Sequence, residues 1–161
     1  MARDLAVIGL TALVWTAEGR IASQGGWVAG GLSVAAGTLT ALVGFITHEW
    51  GHLAGALAAG STVHFPGRVT APLLFHFDTA RNDRRQFLCM SYGGFAASAI
   101  VLVALLAMLP FERLSGRVAG ALAGIGTVVS VVAELPTAVR VARGAPLPTG
   151  YAFTAPRAGA P

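Results

Sequence analysis

Residues 42–60 read LVGFITHEWGHLAGALAAG, and this stretch decides both the fold and the chemistry expected of the chain. Within an apolar run it carries His48, Glu49 and His52, which form the pattern HExxH. Residues four positions apart lie on one face of a helix, so both imidazoles can reach one Zn²⁺ ion. Glu49 can then take a proton from a water bound to that ion, which is the chemistry of amide hydrolysis.

The composition predicts that this motif lies in a membrane. The chain has 161 residues, of which 55% are hydrophobic and only 11% charged, against about 25% charged in soluble domains. Apolar stretches long enough to cross a bilayer predict an all-α membrane protein with about four transmembrane helices. These stretches are Leu5 to Ala17, Trp27 to Ala59, Gln86 to Pro110 and Val118 to Val139.

The first stretch is the weakest of the four, because about thirteen residues fall short of the roughly twenty that a spanning helix needs. It could be the apolar part of a signal peptide. Trp15 and Arg20 fit badly before the two small-residue cleavage sites, however, so we favour a retained anchor.

A β-hairpin is predicted between the second and third spans. Extended backbone is favoured at Thr62 to Phe65, at Val69 to Thr70 and at Leu73 to Phe77, with proline and glycine between them. The end of the chain is rich in proline, glycine and alanine, which predicts disorder. The predicted organisation is therefore an N-terminal segment 1–26, a membrane core 27–143 and a disordered tail 144–161.

The distribution of arginines along the chain predicts its orientation in the membrane. All eleven basic residues are arginines, and they lie between apolar segments, so we expect no nucleic-acid partner. With four spans, one side receives eight of them and the other receives three, Arg20, Arg113 and Arg117. The positive-inside rule then places both termini and the hairpin in the cytoplasm. The composition also suggests a bacterial cell membrane.

Catalytic zinc usually has three protein ligands and an open position. Glu134 is favoured as the third, because it is the only carboxylate inside the last apolar span. A row of glycines in the last span, Gly116, Gly120 and Gly124, lies near the azimuth of Glu134 and is expected to pack on the glycines beside His48: Gly30, Gly37, Gly44 and Gly55.

Other assignments stay open from the residues alone. Asp78, or one of the loop histidines His64 and His76, could be the third ligand, and Glu134 could instead pair with Arg140. Ionisable groups near mid-bilayer cost about 2 to 3 kcal/mol and usually serve a function. A polar cluster that only joins helices is the alternative.

The motif HEWGHLAGA in an apolar span, an extended segment, the glycine-containing span SYGGFAASAIVLVALLAML and an acidic residue in the last span together resemble the site-two protease family. These are intramembrane zinc metalloproteases, and the resemblance covers about residues 40–140. The third span keeps the glycine of the family's Gly-Pro-x-x-Asn element, at Gly94, without its proline and asparagine.

The resemblance implies a three-helix core that cleaves membrane-spanning proteins, such as anti-sigma factors or leftover signal peptides, with water from the cytoplasmic side. It also implies that the hairpin binds the substrate as an added strand. We therefore predict an intramembrane zinc endopeptidase with Glu49 as the base and His48, His52 and Glu134 as ligands. A non-catalytic membrane protein that binds or transports metal, and an inactive protease-like scaffold, are the alternatives.

Overall fold

A computed structural model describes residues 2–67, 71, 73–150 and 152–153. In chain order its elements are α1 (Ala2–Ile21), a 3-10 turn (Ala22–Gln24), α2 (Gly26–Ala58), β1 (Val63–His64), β2 (His76–Phe77), α3 (Arg84–Met108) and α4 (Leu114–Ala142). Within this described part, the four α-helices are long and apolar enough to cross a membrane. The predicted fold class, four such helices with a hairpin between the second and third, is confirmed.

The helices end where the local sequence stops them. The 3-10 turn and Gly25 separate α1 from α2, and Gly25 and the first residue of α2, Gly26, both have positive φ, which glycine tolerates best. At the end of α2 the Ser61 amide donates to the Ala56 carbonyl at 2.9 Å, and Gly60 has a φ of 70°, the arrangement of a glycine C-cap. Asp83 caps the start of α3. Its side chain accepts a hydrogen bond from the Gln86 amide, and the Gln86 side chain accepts one from the Asp83 amide, both at 2.8 Å.

α1 is longer than its apolar stretch suggested. The helix has 20 residues because it continues through Arg3 and Asp4 at one end and through Glu18 and Arg20 at the other. The Arg3 guanidinium donates to Asp4 at 2.9 Å, and the Asp4 side chain is buried. Hydropathy alone therefore underestimated the first span, since Arg3, Asp4 and Glu18 find partners.

The hairpin strands are shorter than predicted. β1 and β2 are antiparallel, with Val63 opposite Phe77 and His64 opposite His76. Pro66 and Gly67 follow β1 and stop it, because proline lacks the amide that a ladder requires. The predicted extended pair at residues 69–70 lies outside the described residues.

The chain divides into two compact units, Met1–Thr47 with Ser98–Val129, and His48–Ala97 with Ser130–Pro161. The first unit is organised around Glu18, whose side chain is only 1% exposed. Ser33 and Ser115 both donate to Oε1 of Glu18 at 3.1 Å, and a guanidinium nitrogen of Arg113 lies 3.6 Å from Oε2. This carboxylate therefore joins α1 to α2 and α4.

The predicted pairing of two glycine rows is wrong. Gly116 and Gly120 of α4 face Pro110 and Phe111, in the turn that precedes their own helix. Gly37 of α2 is approached by Val118 and by the Ser115 carbonyl rather than by a glycine. Spacing predicts which residues share a helix face, but it could not reveal which element covers that face.

The second unit contains an apolar core beneath the hairpin. Its buried members come from α2, the hairpin, α3 and α4, namely Leu53, Ala56, Phe75, Phe77, Phe87, Met90 and Val141. Two residues of the segment predicted as a disordered tail, Leu147 and Phe153, pack against this core. The described part of that segment thus has a defined position.

Replacing Glu18 with alanine should lower the free energy of unfolding by about 1 to 3 kcal/mol, because two buried hydroxyls lose their acceptor. Chemical or thermal unfolding in detergent measures this. Glu112→Ala removes a carboxylate from an exposed residue near α4 and is the control. Equal loss in the two variants would contradict a stabilising role for the Glu18 cluster.

Candidate metal centre

His48 and His52 lie one turn apart on α2 and present their Nε2 atoms to each other. The two Nε2 atoms are 3.0 Å apart, and the rings meet edge to face with centroids 4.4 Å apart. His48 is 3% exposed, and the His52 side chain is 11% exposed. The helical spacing read from the motif therefore brings both rings together in a largely buried position.

α4 supplies the third side chain. Oε1 of Glu134 lies 3.1 Å from Nε2 of His48, and Oε2 lies 3.1 Å from Nε2 of His52. One ligand atom from each residue lies within 4.8 Å of the others. Among the described residues, the structure thus assembles the three predicted ligands into one group that could hold a metal ion.

Backbone carbonyls of α3 orient both rings. Nδ1 of His48 contacts the Gly94 carbonyl at 3.1 Å, and Nδ1 of His52 contacts the Met90 carbonyl at 3.0 Å. A carbonyl can only accept, so each Nδ1 carries a proton and donates it, which leaves Nε2 of the neutral ring with a lone pair. Metal-bound histidines commonly have this carbonyl contact.

The hydrogen-bond pattern requires positive charge within the group, either a bound cation or a proton on one imidazole. With both Nδ1 atoms protonated, the two Nε2 lone pairs and the Glu134 carboxylate are all acceptors, and they face one another at 3.0 to 3.1 Å. Such a group needs positive charge between its members. Tetrahedral zinc with bonds of about 2.05 Å separates its ligand atoms by about 3.3 Å, so small side-chain shifts would admit the ion.

Three glycines allow α2 and α3 to approach each other closely. A Cβ on Gly51 would meet the Gly93 carbonyl, and a Cβ on Gly93 would meet the Gly51 carbonyl, so α2 and α3 are in backbone contact here. A Cβ on Gly94 would overlap the imidazole of His52. Sequence reasoning placed the close approach on α4 and missed this contact with α3. The doublet Gly93 and Gly94 in an apolar span was the available signal.

Glu49 lies beside this group. Together with His52 and Glu134 it lines a cavity of about 290 Å³. The rest of the wall is mainly apolar and includes Phe75, Phe77, Phe87, Met90 and Phe153. A carboxylate that shares an apolar cavity with a possible metal site is placed to exchange protons with a water held there.

The other candidates for the third ligand lie elsewhere. Nε2 of His64 donates to Oδ2 of Asp78 at 3.0 Å, and the Ala80 amide donates to Oδ1 at 3.1 Å. The hydrogen bond from His64 lowers the pKa of Asp78 below its usual range, and the Ala80 amide and the charges of His64 and Arg81 act in the same direction against burial. Asp78 therefore stabilises the hairpin, and His76 is buried in β2 opposite His64.

The predicted alternative of an ion pair between Glu134 and Arg140 is likewise not what the structure shows. The Arg140 guanidinium donates to the Thr137 hydroxyl at 3.3 Å, while Glu134 faces the two histidines. Pro136 follows Glu134 within α4, which continues to Ala142.

Comparison of the chain with known protein families, with curated proteins and with solved structures finds no match.

Removal of the Glu134 carboxylate should release the metal. We expect Glu134→Gln, after equilibration with limiting zinc and desalting, to retain less than a tenth of the wild-type metal content by elemental analysis. Asp78→Asn is the matched control, since it neutralises the other candidate carboxylate and should retain full metal. Full metal in Glu134→Gln together with loss of metal in Asp78→Asn would show that Asp78 of the hairpin is the third ligand.

Gly94→Ala should also lower the metal content although it changes no ligand residue, because the added methyl group displaces the His52 ring. Gly124→Ala is the control, since a Cβ there meets nothing within 4 Å. Metal content and thermal unfolding should be measured together. Full metal binding by Gly94→Ala would show that the close packing against His52 is unnecessary.

Proposed function

We propose that the protein is an intramembrane zinc endopeptidase, similar to site-two proteases, that cleaves membrane-spanning segments. The observation that carries this proposal is the convergence of His48, His52 and Glu134 beside a cavity that also holds Glu49. Two histidines and one carboxylate form a common catalytic zinc set, which leaves a coordination position for water or substrate.

The location of the candidate metal centre in apolar helices also supports the proposal. α2 and α4, which carry the motif and Glu134, both meet the length and hydropathy of membrane spans. A carboxylate and two imidazoles are costly in such helices unless they bind a partner or serve chemistry. The arrangement is therefore better explained by a functional metal centre than by a contact that only joins helices.

Bound zinc would lower the pKa of water and polarise the scissile carbonyl. The carboxylate of Glu49 accepts the proton that the attacking water loses and then donates it to the leaving amide nitrogen. The Gly94 and Met90 carbonyls keep the imidazoles in the tautomer that directs Nε2 to the centre. The part of the cavity wall that comes from the hairpin and α3, namely Phe75, Phe77, Phe87 and Met90, accepts apolar side chains of a substrate.

The arginine distribution supports a proposal for the membrane topology as well. With both termini and the hairpin in the cytoplasm, the end of α2 that carries His48 and His52 would lie toward the cytoplasmic face, and water would reach the site from that side. The substrate would be a single membrane-spanning segment of a regulatory protein or a leftover signal peptide, presented in the bilayer.

Substitution of Glu49 by glutamine tests the mechanism. We expect cleavage of a transmembrane reporter by purified protein to fall by about 10²- to 10⁴-fold, since a general base is lost, while zinc content stays at the wild-type level. Glu112→Gln, on an exposed turn, should change neither quantity.

Two outcomes would contradict the protease proposal. Glu49→Gln with wild-type turnover would remove the proposed base. A zinc-loaded wild type that leaves a panel of single-span reporters uncut, but carries zinc across vesicle membranes, would favour the metal-transport alternative. The same inactivity without zinc movement would favour a protease-like scaffold.

A further inference from the structure

The two edges of β2 have different partners. Toward β1, the Asp78 amide donates to the Thr62 carbonyl at 3.2 Å. Amides alternate in direction along a strand, and on the opposite edge Phe77 and Thr79 donate to the carbonyls of Ala152 and Phe153 at 3.1 and 3.3 Å. Ala152 and Phe153 therefore occupy the outer edge of the hairpin.

Two further contacts strengthen this attachment. The Thr79 hydroxyl donates to the Phe153 carbonyl at 2.6 Å, and the Phe153 amide donates to the Gly150 carbonyl at 2.9 Å. The Phe153 ring lies 6.0 Å from the ring of Phe87 between centroids. These contacts fix a turn of the end segment against β2 and α3.

The same segment forms a wall of the candidate active site. Pro148, Ala152 and Phe153 line the cavity whose other side carries Glu49, His52 and Glu134. An extended peptide that approaches the metal centre along the hairpin would need the amides and the apolar surface that this segment now uses. Proline at 146 and 148 keeps the segment from continuing α4 as a helix, so it can turn back against β2.

We propose that residues 147–150 and 152–153, the C-terminal strap, compete with substrate for the outer edge of β2 and the adjoining cavity, which makes the protein autoinhibited. This inference rests on the proposed protease function. The strap is tethered to α4, which ends at Ala142, and a short tether gives a high effective concentration. A free peptide binds poorly against such a competitor, whereas a substrate held beside the site in the same bilayer can displace it.

The kinetic test compares wild type with Phe153→Ala and with a chain that ends at Gly144. Both variants should lower the KM for a transmembrane reporter at least fivefold and leave kcat within about twofold. Phe111→Ala removes an aromatic ring that packs on Gly120 in the first unit, and it should leave both constants unchanged. Unchanged KM in both strap variants would overturn the proposal.

A binding test separates failure of this inference from failure of the protease proposal, because it needs no turnover. A fluorescent peptide with the sequence of residues 145–156, APLPTGYAFTAP, is titrated into Glu49→Gln protein that ends at Gly144 and into full-length Glu49→Gln protein. The shortened protein should bind the peptide at least tenfold more tightly. A peptide with alanine in place of the phenylalanine should bind weakly to both.

Full-length Glu49→Gln carrying Phe153→Ala provides the same comparison if the shortened chain does not fold, and it should also bind the wild-type peptide more tightly than its parent. Equal binding to parent and variant would overturn the strap as a competitor. Tighter peptide binding in the variants without any reporter cleavage by the active protein would instead contradict the protease proposal and leave the strap inference standing.

Discussion

In the second unit, the mutual repulsion of three electron-rich groups has to be offset by positive charge. Two imidazole lone pairs and a carboxylate face one another at 3.0 to 3.1 Å, and uncompensated acceptors in a low-dielectric setting are costly. A proton on one imidazole or a bound cation would remove this cost. The group could hold a metal ion without large rearrangement, because α3 carbonyls already fix the orientation of both rings.

This preparation requires unusually close helices. Backbone contact between Gly51 and Gly93 brings α3 near enough for its carbonyls to reach both Nδ1 atoms, and Gly94 leaves room for one ring. The carbonyls that orient the imidazoles and the glycines that permit the contact belong to the same turns of α3. Orientation of the ligands and packing of the helices are therefore one structural feature, which explains why the third helix matters although it supplies no ligand.

Polar side chains outside the centre stabilise each unit separately. In the first unit Glu18 joins three helices through two serines and an arginine, a role that apolar side chains fill poorly inside a bilayer, where helices gain little from hydrophobic burial. In the second unit Asp78 braces the hairpin through His64 and the Ala80 amide. The hairpin in turn holds the aromatic wall beside the metal centre.

The sequence by itself determined four spans, the position of the hairpin and the convergence of His48 with His52, because these follow from hydropathy and from the 3.6-residue period of a helix. It also singled out Glu134, as the lone carboxylate of the last span. Only the tertiary structure decided that α3 orients the rings, that Gly116 and Gly120 face the preceding turn, and that Ala152 and Phe153 cover the outer edge of β2. Those features depend on which surfaces meet across long separations in the chain, and a periodicity gives the direction of a side chain but not its neighbour.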